Sequence, residues 1–204
     1  MNKKKVFIWV IPLTLFAIVA ILLKAGFNER FESWAYSVVV RPMSPTLNTI
    51  ATVVTRFGDT ITVVLICLVL IIIPASRKII ALPVISAVIA STLLNNGLKF
   101  LFLRERPNIL RLITETGYSF PSGHSMVNAT LYFMFILLAF RHLKDKRLKV
   151  IVTVFCSFMF ITIGITRIYL GVHYAFDVLG GWFLGIAVAA FVFGIYIDKT
   201  KKNS

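Results

Sequence analysis

Apolar residues fall into six long runs along the chain: Val6–Gly26, Ala51–Pro74, Ile79–Leu101, Ser125–Phe140, Val150–Tyr169 and Phe176–Ile197. Each approaches the roughly 20 residues that a helix needs to cross the hydrocarbon layer of a bilayer. The fourth is the shortest, and its pattern can extend back to Ser122 or on to Leu143. The pattern predicts an all-α integral membrane protein, with six transmembrane helices in a bundle forming a single domain over residues 1–204. The first run exceeds the roughly 7–15 apolar residues of a signal-peptide core and no A-x-A site follows it, so it reads as an uncleaved span. Between the first two runs, Phe31, Trp34, Ala35 and Val38 recur at i, i+3, i+4, i+7, with Arg30, Glu32, Ser33 and Ser37 elsewhere on the wheel. An amphipathic helix lying in the membrane interface fits this spacing, as does a solvated loop. Pro42 and Pro45 end the pattern.

Composition strengthens the membrane reading. Hydrophobic residues make up 58% of the 204 and the mean hydropathy is +0.89. The net charge of +14 would suggest nucleic acid in a soluble protein. Here the basic residues sit between apolar runs and report topology instead, so no nucleic-acid partner is expected. Lys3 to Lys5, Arg77 and Lys78, the 141–149 loop and Lys199 to Lys202 all fall on one side. The positive-inside rule makes that side cytoplasmic, with both termini there, and turns the other face outward from the cell membrane. Cys67 and Cys156 both lie within apolar runs and outside any CxxC motif, so they read as small buried hydrophobes and not as a disulfide framework.

Ionisable groups at the outward ends of four successive spans are the exception to this economy of charge. The first cluster is Lys99 with Arg106-Pro107; seven residues is two helical turns, so the two cations share a face if the helix continues. The second is Pro121-Ser122-Gly123-His124, where Ser122 suits a helix N-cap and Gly123 admits close approach of the backbone. The third is Thr166-Arg167, His173 and Asp177; the last two are four apart and share a face of one helix. Gly181 and Gly185 continue that face and would let a neighbouring helix approach. Taken singly, the clusters also read as snorkelling cations, a capping serine beside an incidental histidine, and a satisfied His–Asp pair. Together they place three fixed positive charges, a helix N-terminus and two imidazoles on one face. A tetrahedral oxyanion such as phosphate is the natural occupant of such a cavity. A metal on His124, His173 and Asp177 would face repulsion from those cations, so neither a metal nor a cofactor is expected. An anion transporter lined by Lys99, Arg106 and Arg167 is a weaker alternative, because the polar residues gather at one side.

The three clusters resemble the signature of the type-2 phosphatidic acid phosphatase family: K-x6-R-P, then P-S-G-H, then S-R-x5-H-x3-D. Every spacing fits, and Thr166 replaces the usual serine while keeping its hydroxyl. Size and layout are similar to those of small bacterial members. The resemblance implies a metal-independent membrane lipid phosphatase acting on a phosphomonoester or pyrophosphate through a phosphohistidine. Phosphatidylglycerol phosphate is the leading expected substrate and undecaprenyl pyrophosphate the alternative, with phosphatidic acid also qualifying; the lipid itself and surrounding membrane lipids are the expected partners. It further implies that His173 is the nucleophile, Asp177 its support and His124 the acid and base, while Lys99, Arg106, Ser122, Gly123 and Arg167 hold the phosphate.

Overall fold

The computed structural model describes residues 3–202, and among them every regular element is helical. The order is α1 (Lys3–Lys24), α2 (Glu29–Val40), α3 (Pro45–Arg56), α4 (Thr60–Ile72), α5 (Leu82–Phe102), α6 (Gly123–His142), α7 (Lys146–Tyr169) and α8 (Ala175–Lys202). A short 3-10 turn, Pro74–Ser76, and a π-helical turn, Arg77–Ala81, lead into α5. Among the described residues four helices are long and apolar enough to cross a membrane, and up to six spans result if each of two bent helix pairs counts as one.

The second apolar run differs from its expected form. It starts earlier, because Pro45 opens α3 at a position where its missing N–H costs nothing, and Ser44 caps it by accepting from Leu47 N. It is also interrupted: α3 and α4 meet at a 43° bend across Phe57, Gly58 and Asp59. Segment α2 is helical, the first of the two readings its spacing allowed, and turns 108° from α1. Its faces are not simply sorted. Phe31, Trp34 and Val38 are exposed, whereas Ala35 packs against Ile168, Ala175 and Val178, and Glu32 is buried.

Helix α6 is the most buried of the candidate spans, with α8 laid along it. The small residues of α8 make that contact close, as their spacing predicts. A Cβ on Gly185 would stand 2.3 Å from Met126 O, and one on Gly181 would stand 2.8 Å from Ser122 O. At such a separation backbone meets backbone, so only glycine fits. Below the contact, the Thr130 hydroxyl lies within 3.0 Å of Ser91 Oγ and 3.1 Å of Gly185 O, which ties α5, α6 and α8 through one buried polar point. This three-helix frame fixes the ends that carry His124 and Asp177.

Candidate active site

Two departures from simple helical spacing shape the site. Helix α5 does not continue to Arg106: it stops at Phe102, and Leu103 takes a left-handed conformation at φ 51°. Lys99 and Arg106 therefore do not share one helical face, and Arg106 reaches the site from the 103–121 loop. Likewise α8 begins at Ala175, so His173 lies in the turn before it and not on the same helix as Asp177. The pair meets nonetheless, with His173 Nδ1 3.3 Å from Asp177 Oδ2.

Partners on both sides fix the His173 ring. A carboxylate can only accept a hydrogen bond, so the proton is on Nδ1. Arg106 Nη1 lies 3.1 Å from Nε2, and a guanidinium can only donate, so Nε2 carries the lone pair. The ring is thus held as the tautomer with a nucleophilic Nε2. Burial pushes its pKa down to about 4, against the opposing pull of Asp177, and keeps the ring neutral. Arg106 is itself anchored by Val172 O at 3.0 Å, Gly117 O at 3.0 Å and Thr116 O at 2.9 Å.

Asp177 is fully buried and receives three donors. Tyr174 N gives to Oδ2 at 2.9 Å along with His173, and Arg104 Nη1 gives to Oδ1 at 2.6 Å. Arg104 Nη2 in turn donates to Glu32 Oε2 at 2.7 Å, and its guanidinium lies 4.0 Å from the centre of the Tyr174 ring. Glu32 also accepts from Asn28 Nδ2 at 2.7 Å and from Phe176 N at 3.3 Å. The carboxylate of α2 is thereby linked through Arg104 to the His–Asp pair. Neither Glu32 nor Arg104 was picked out by sequence, since each resembles an ordinary charge of an outer loop.

Arg167, 1% exposed, donates from Nη1 to Thr55 Oγ1 at 2.8 Å and from Nη2 to Glu115 Oε1, while its buried Nε has no hydrogen-bond partner among the described residues. The second oxygen of Glu115 lies 3.8 Å from Arg106 Nη2. The two guanidiniums thus converge on one carboxylate. Burial works against the charged form of Glu115, but Arg167, with His124 and Arg106, outweighs it and holds the carboxyl below the usual range. No local motif singles this glutamate out, yet it supplies the anion between cations that would otherwise repel.

Ser122 caps α6 as expected, its Oγ accepting from Ser125 N at 3.4 Å. Its own N–H donates to Asp177 O at 3.0 Å, joining the start of α6 to α8. His124 Nε2 stands 2.8 Å from Asp59 Oδ1, a partner from the bend between α3 and α4 that sequence did not indicate. Lys99, Gly123 and His124 line a cavity of about 420 Å³, whose other walls include Val63, Val88 and Leu93. Lys99 is within electrostatic reach of Arg106, Arg167, Glu115 and Asp177. A separate cavity of about 370 Å³ reaches His173 between α2 and Tyr174.

This assembly of two histidines, three cations and a helix N-terminus now has an independent match. The family model described as "PAP2 superfamily" covers residues 80–201, which contain all three clusters. The chain belongs to the PAP2 superfamily. Among curated PAP2 relatives, phosphatidylglycerophosphatase B of Bacillus subtilis is 39% identical over 54% of this chain and 54% of its own length. The chain thus spans about half the length of that relative. Undecaprenyl-diphosphatase of Sulfolobus acidocaldarius is 30% identical over 89% of this chain and 87% of its own. The crystal structure of the first transmembrane PAP2-type phosphatidylglycerolphosphate phosphatase from Bacillus subtilis superposes with a TM-score of 0.78. It is 30% identical and covers 92% of this chain and 96% of that one.

Proposed function

We propose that this PAP2 protein is a membrane lipid phosphatase that cleaves the phosphate or pyrophosphate of a lipid headgroup without a metal, through a phosphohistidine on His173. The observation that carries the proposal is the His173 ring, with Nδ1 held by Asp177 and Nε2 presented beside Arg106. Attack by the Nε2 lone pair on phosphorus leaves positive charge on the ring, which Asp177 offsets across the ring. Arg106, Arg167, Lys99, the Ser122 hydroxyl and the Gly123 N–H stabilise the phosphoryl oxygens. A single lost donor of this kind costs roughly 3–4 kcal/mol in other enzymes. Bound phosphate takes the place that Glu115 holds between Arg167 and Arg106. His124 gives a proton to the departing oxygen and then takes one from the water that cleaves the phosphohistidine.

Helix lengths and charges support the membrane placement we propose. At 22 residues α1 would extend about 33 Å, enough to cross the hydrocarbon layer, whereas the 12-residue α2 would extend only about 18 Å. We therefore read α2 as lying in the interface, with Trp34 and Phe31 towards lipid, and α3 with α4 as one bent span, giving six spans in all. Lysine and arginine placement puts the termini in the cytoplasm and the site at the extracytoplasmic face. A headgroup then reaches His173 and His124 while its tail stays in the bilayer. Phosphatidylglycerol phosphate is the substrate we favour, from the names of the relatives; undecaprenyl pyrophosphate is the second reading, favoured by the Sulfolobus relative aligned over most of the chain.

The test is phosphate release by the detergent-solubilised protein from phosphatidylglycerol phosphate, phosphatidic acid and undecaprenyl pyrophosphate in excess EDTA. Turnover that survives the chelator supports the proposal. Turnover abolished by EDTA and restored by zinc or magnesium would overturn it.

A further inference from the structure

We propose that Asp59 is the positioning residue of His124, holding the ring by Nε2 so that Nδ1 is the atom that exchanges protons with the substrate; this deepens the phosphatase reading above and rests on it. The bend between α3 and α4 is built to deliver this carboxylate. Asn128 Nδ2 donates to Gly58 O at 2.9 Å and to His124 O at 2.9 Å, fastening the bend to the first turns of α6. The backbone at Gly58 is pressed so close that a Cβ there would stand 2.6 Å from Ile163 Cγ2 and 2.7 Å from Asn128 Nδ2. Asp59 then takes the N-cap position of α4, where an aspartate normally accepts from the first turn, yet its side chain makes no capping bond. Its Oδ1 instead lies 2.8 Å from His124 Nε2.

The chemistry of the two groups assigns the ring. A carboxylate only accepts, so Nε2 carries a hydrogen. Among the described residues Nδ1 has no hydrogen-bond partner and is left for the substrate. The two histidines thus work with opposite nitrogens: His173 is held at Nδ1 and reacts at Nε2, while His124 is held at Nε2 and reacts at Nδ1. In the first step the His173 Nε2 lone pair forms the N–P bond as the P–O bond to the leaving group breaks. The electron pair of that bond stays on the departing oxygen, which takes the Nδ1 proton of the doubly protonated His124 ring. Asp59 remains a carboxylate throughout and keeps the Nε2 hydrogen. In the second step water adds to phosphorus, its proton goes to Nδ1, the N–P bond breaks back to His173, and inorganic phosphate leaves.

A positioning role of this kind has a signature that mere structural support lacks, because proton donation matters only for a poor leaving group. Single-turnover release of the leaving group is measured with dioctanoyl phosphatidylglycerol phosphate, which expels an alkoxide, and with p-nitrophenyl phosphate, which expels a stable anion. Asp59→Asn is expected to slow the first about 100-fold and the second only a few-fold. In a His124→Ala background it should add no further loss on the lipid, since the two changes remove one interaction. Asp59→Glu, which keeps the charge, should recover part of the lipid rate and serves as the second variant if Asp59→Asn does not fold. Equal slowing on both substrates, or a full additional loss in the His124→Ala background, would overturn the assignment. A wild-type protein that releases neither leaving group would count against the phosphatase reading instead.

Discussion

The region from α5 to α8 and the region from α1 to α4 contribute to the same site in different ways. The first carries every reacting or phosphate-facing group of the proposal: Lys99, Arg106, Ser122, Gly123, His124, Arg167, His173 and Asp177. The family match covers this region and stops short of α4. The second carries partners: Glu32 for Arg104, Thr55 for Arg167 and Asp59 for His124. Chemistry is concentrated where short spacings fix geometry, and orientation is supplied by long-range contacts from helices whose own sequence shows no motif. The proposed phosphatase site needs both, since a histidine 1 Å out of place can lose about 100-fold in rate.

Substitutions in each region break or sharpen this contrast. The largest effect is expected in the first. His173→Ala should abolish lipid hydrolysis, by a factor on the order of 10⁴–10⁶, while the protein still elutes as a folded species in detergent. Near-native turnover would end the division of labour, because the nucleophile would lie elsewhere. Next comes the contact between the regions. Arg104→Ala leaves Glu32 and Asp177 buried without their cation. It should cost about 3–5 kcal/mol of stability, read as a lower melting temperature in detergent. It should also lower kcat about 100-fold through Asp177. A variant as stable and active as the parent would show that α2 has no hold on the His173–Asp177 pair. A smaller effect of opposite sign is expected inside the first region. Glu115→Gln removes the internal anion and should lower the Ki of inorganic phosphate about tenfold, measured by inhibition of p-nitrophenyl phosphate turnover. An unchanged or higher Ki would mean that Glu115 and phosphate do not compete.

A pH profile sharpens the same picture. Burial lowers the His173 pKa to about 4, so the free protein keeps a neutral, nucleophilic ring from neutral pH down to that value. As pH falls through 4 the ring gains a proton and loses its lone pair. After correction for the substrate phosphate, which titrates near pH 6, the acid limb of kcat/KM should therefore lie near 4. A limb at the ordinary histidine value of about 6.5 would mean that the ring is solvated in the working protein.

Much of the first region could be read in advance because its signals are local. The Ser122 cap, the small residues Gly181 and Gly185 against α6, and the His173–Asp177 meeting all follow from separations of a few residues. What stayed hidden has physical causes. The averaged hydropathy of residues 51–74 hides the bend, although Arg56 and Asp59 are costly inside an apolar run and Gly58 sits between them. Glu32 matches the polar side of an amphipathic wheel, and only the fold shows that side turned against Arg104. The seven-residue spacing of Lys99 and Arg106 leaves open whether the helix continues, and the left-handed Leu103 stops it before Arg106. Glu115 lies in a loop whose path is set by the anchoring of Arg106 and Arg167 and by no periodicity of its own.

The central claim is that a phosphoryl group passes through His173, and one trapping measurement addresses it directly. The solubilised protein is mixed with phosphatidylglycerol phosphate carrying a labelled terminal phosphate, quenched in alkali within one turnover, and digested for mass spectrometry. The account predicts acid-labile, alkali-stable label on His173 that is absent from His173→Ala. Label on another residue, or full turnover with no labelled protein at any quench time, would contradict it.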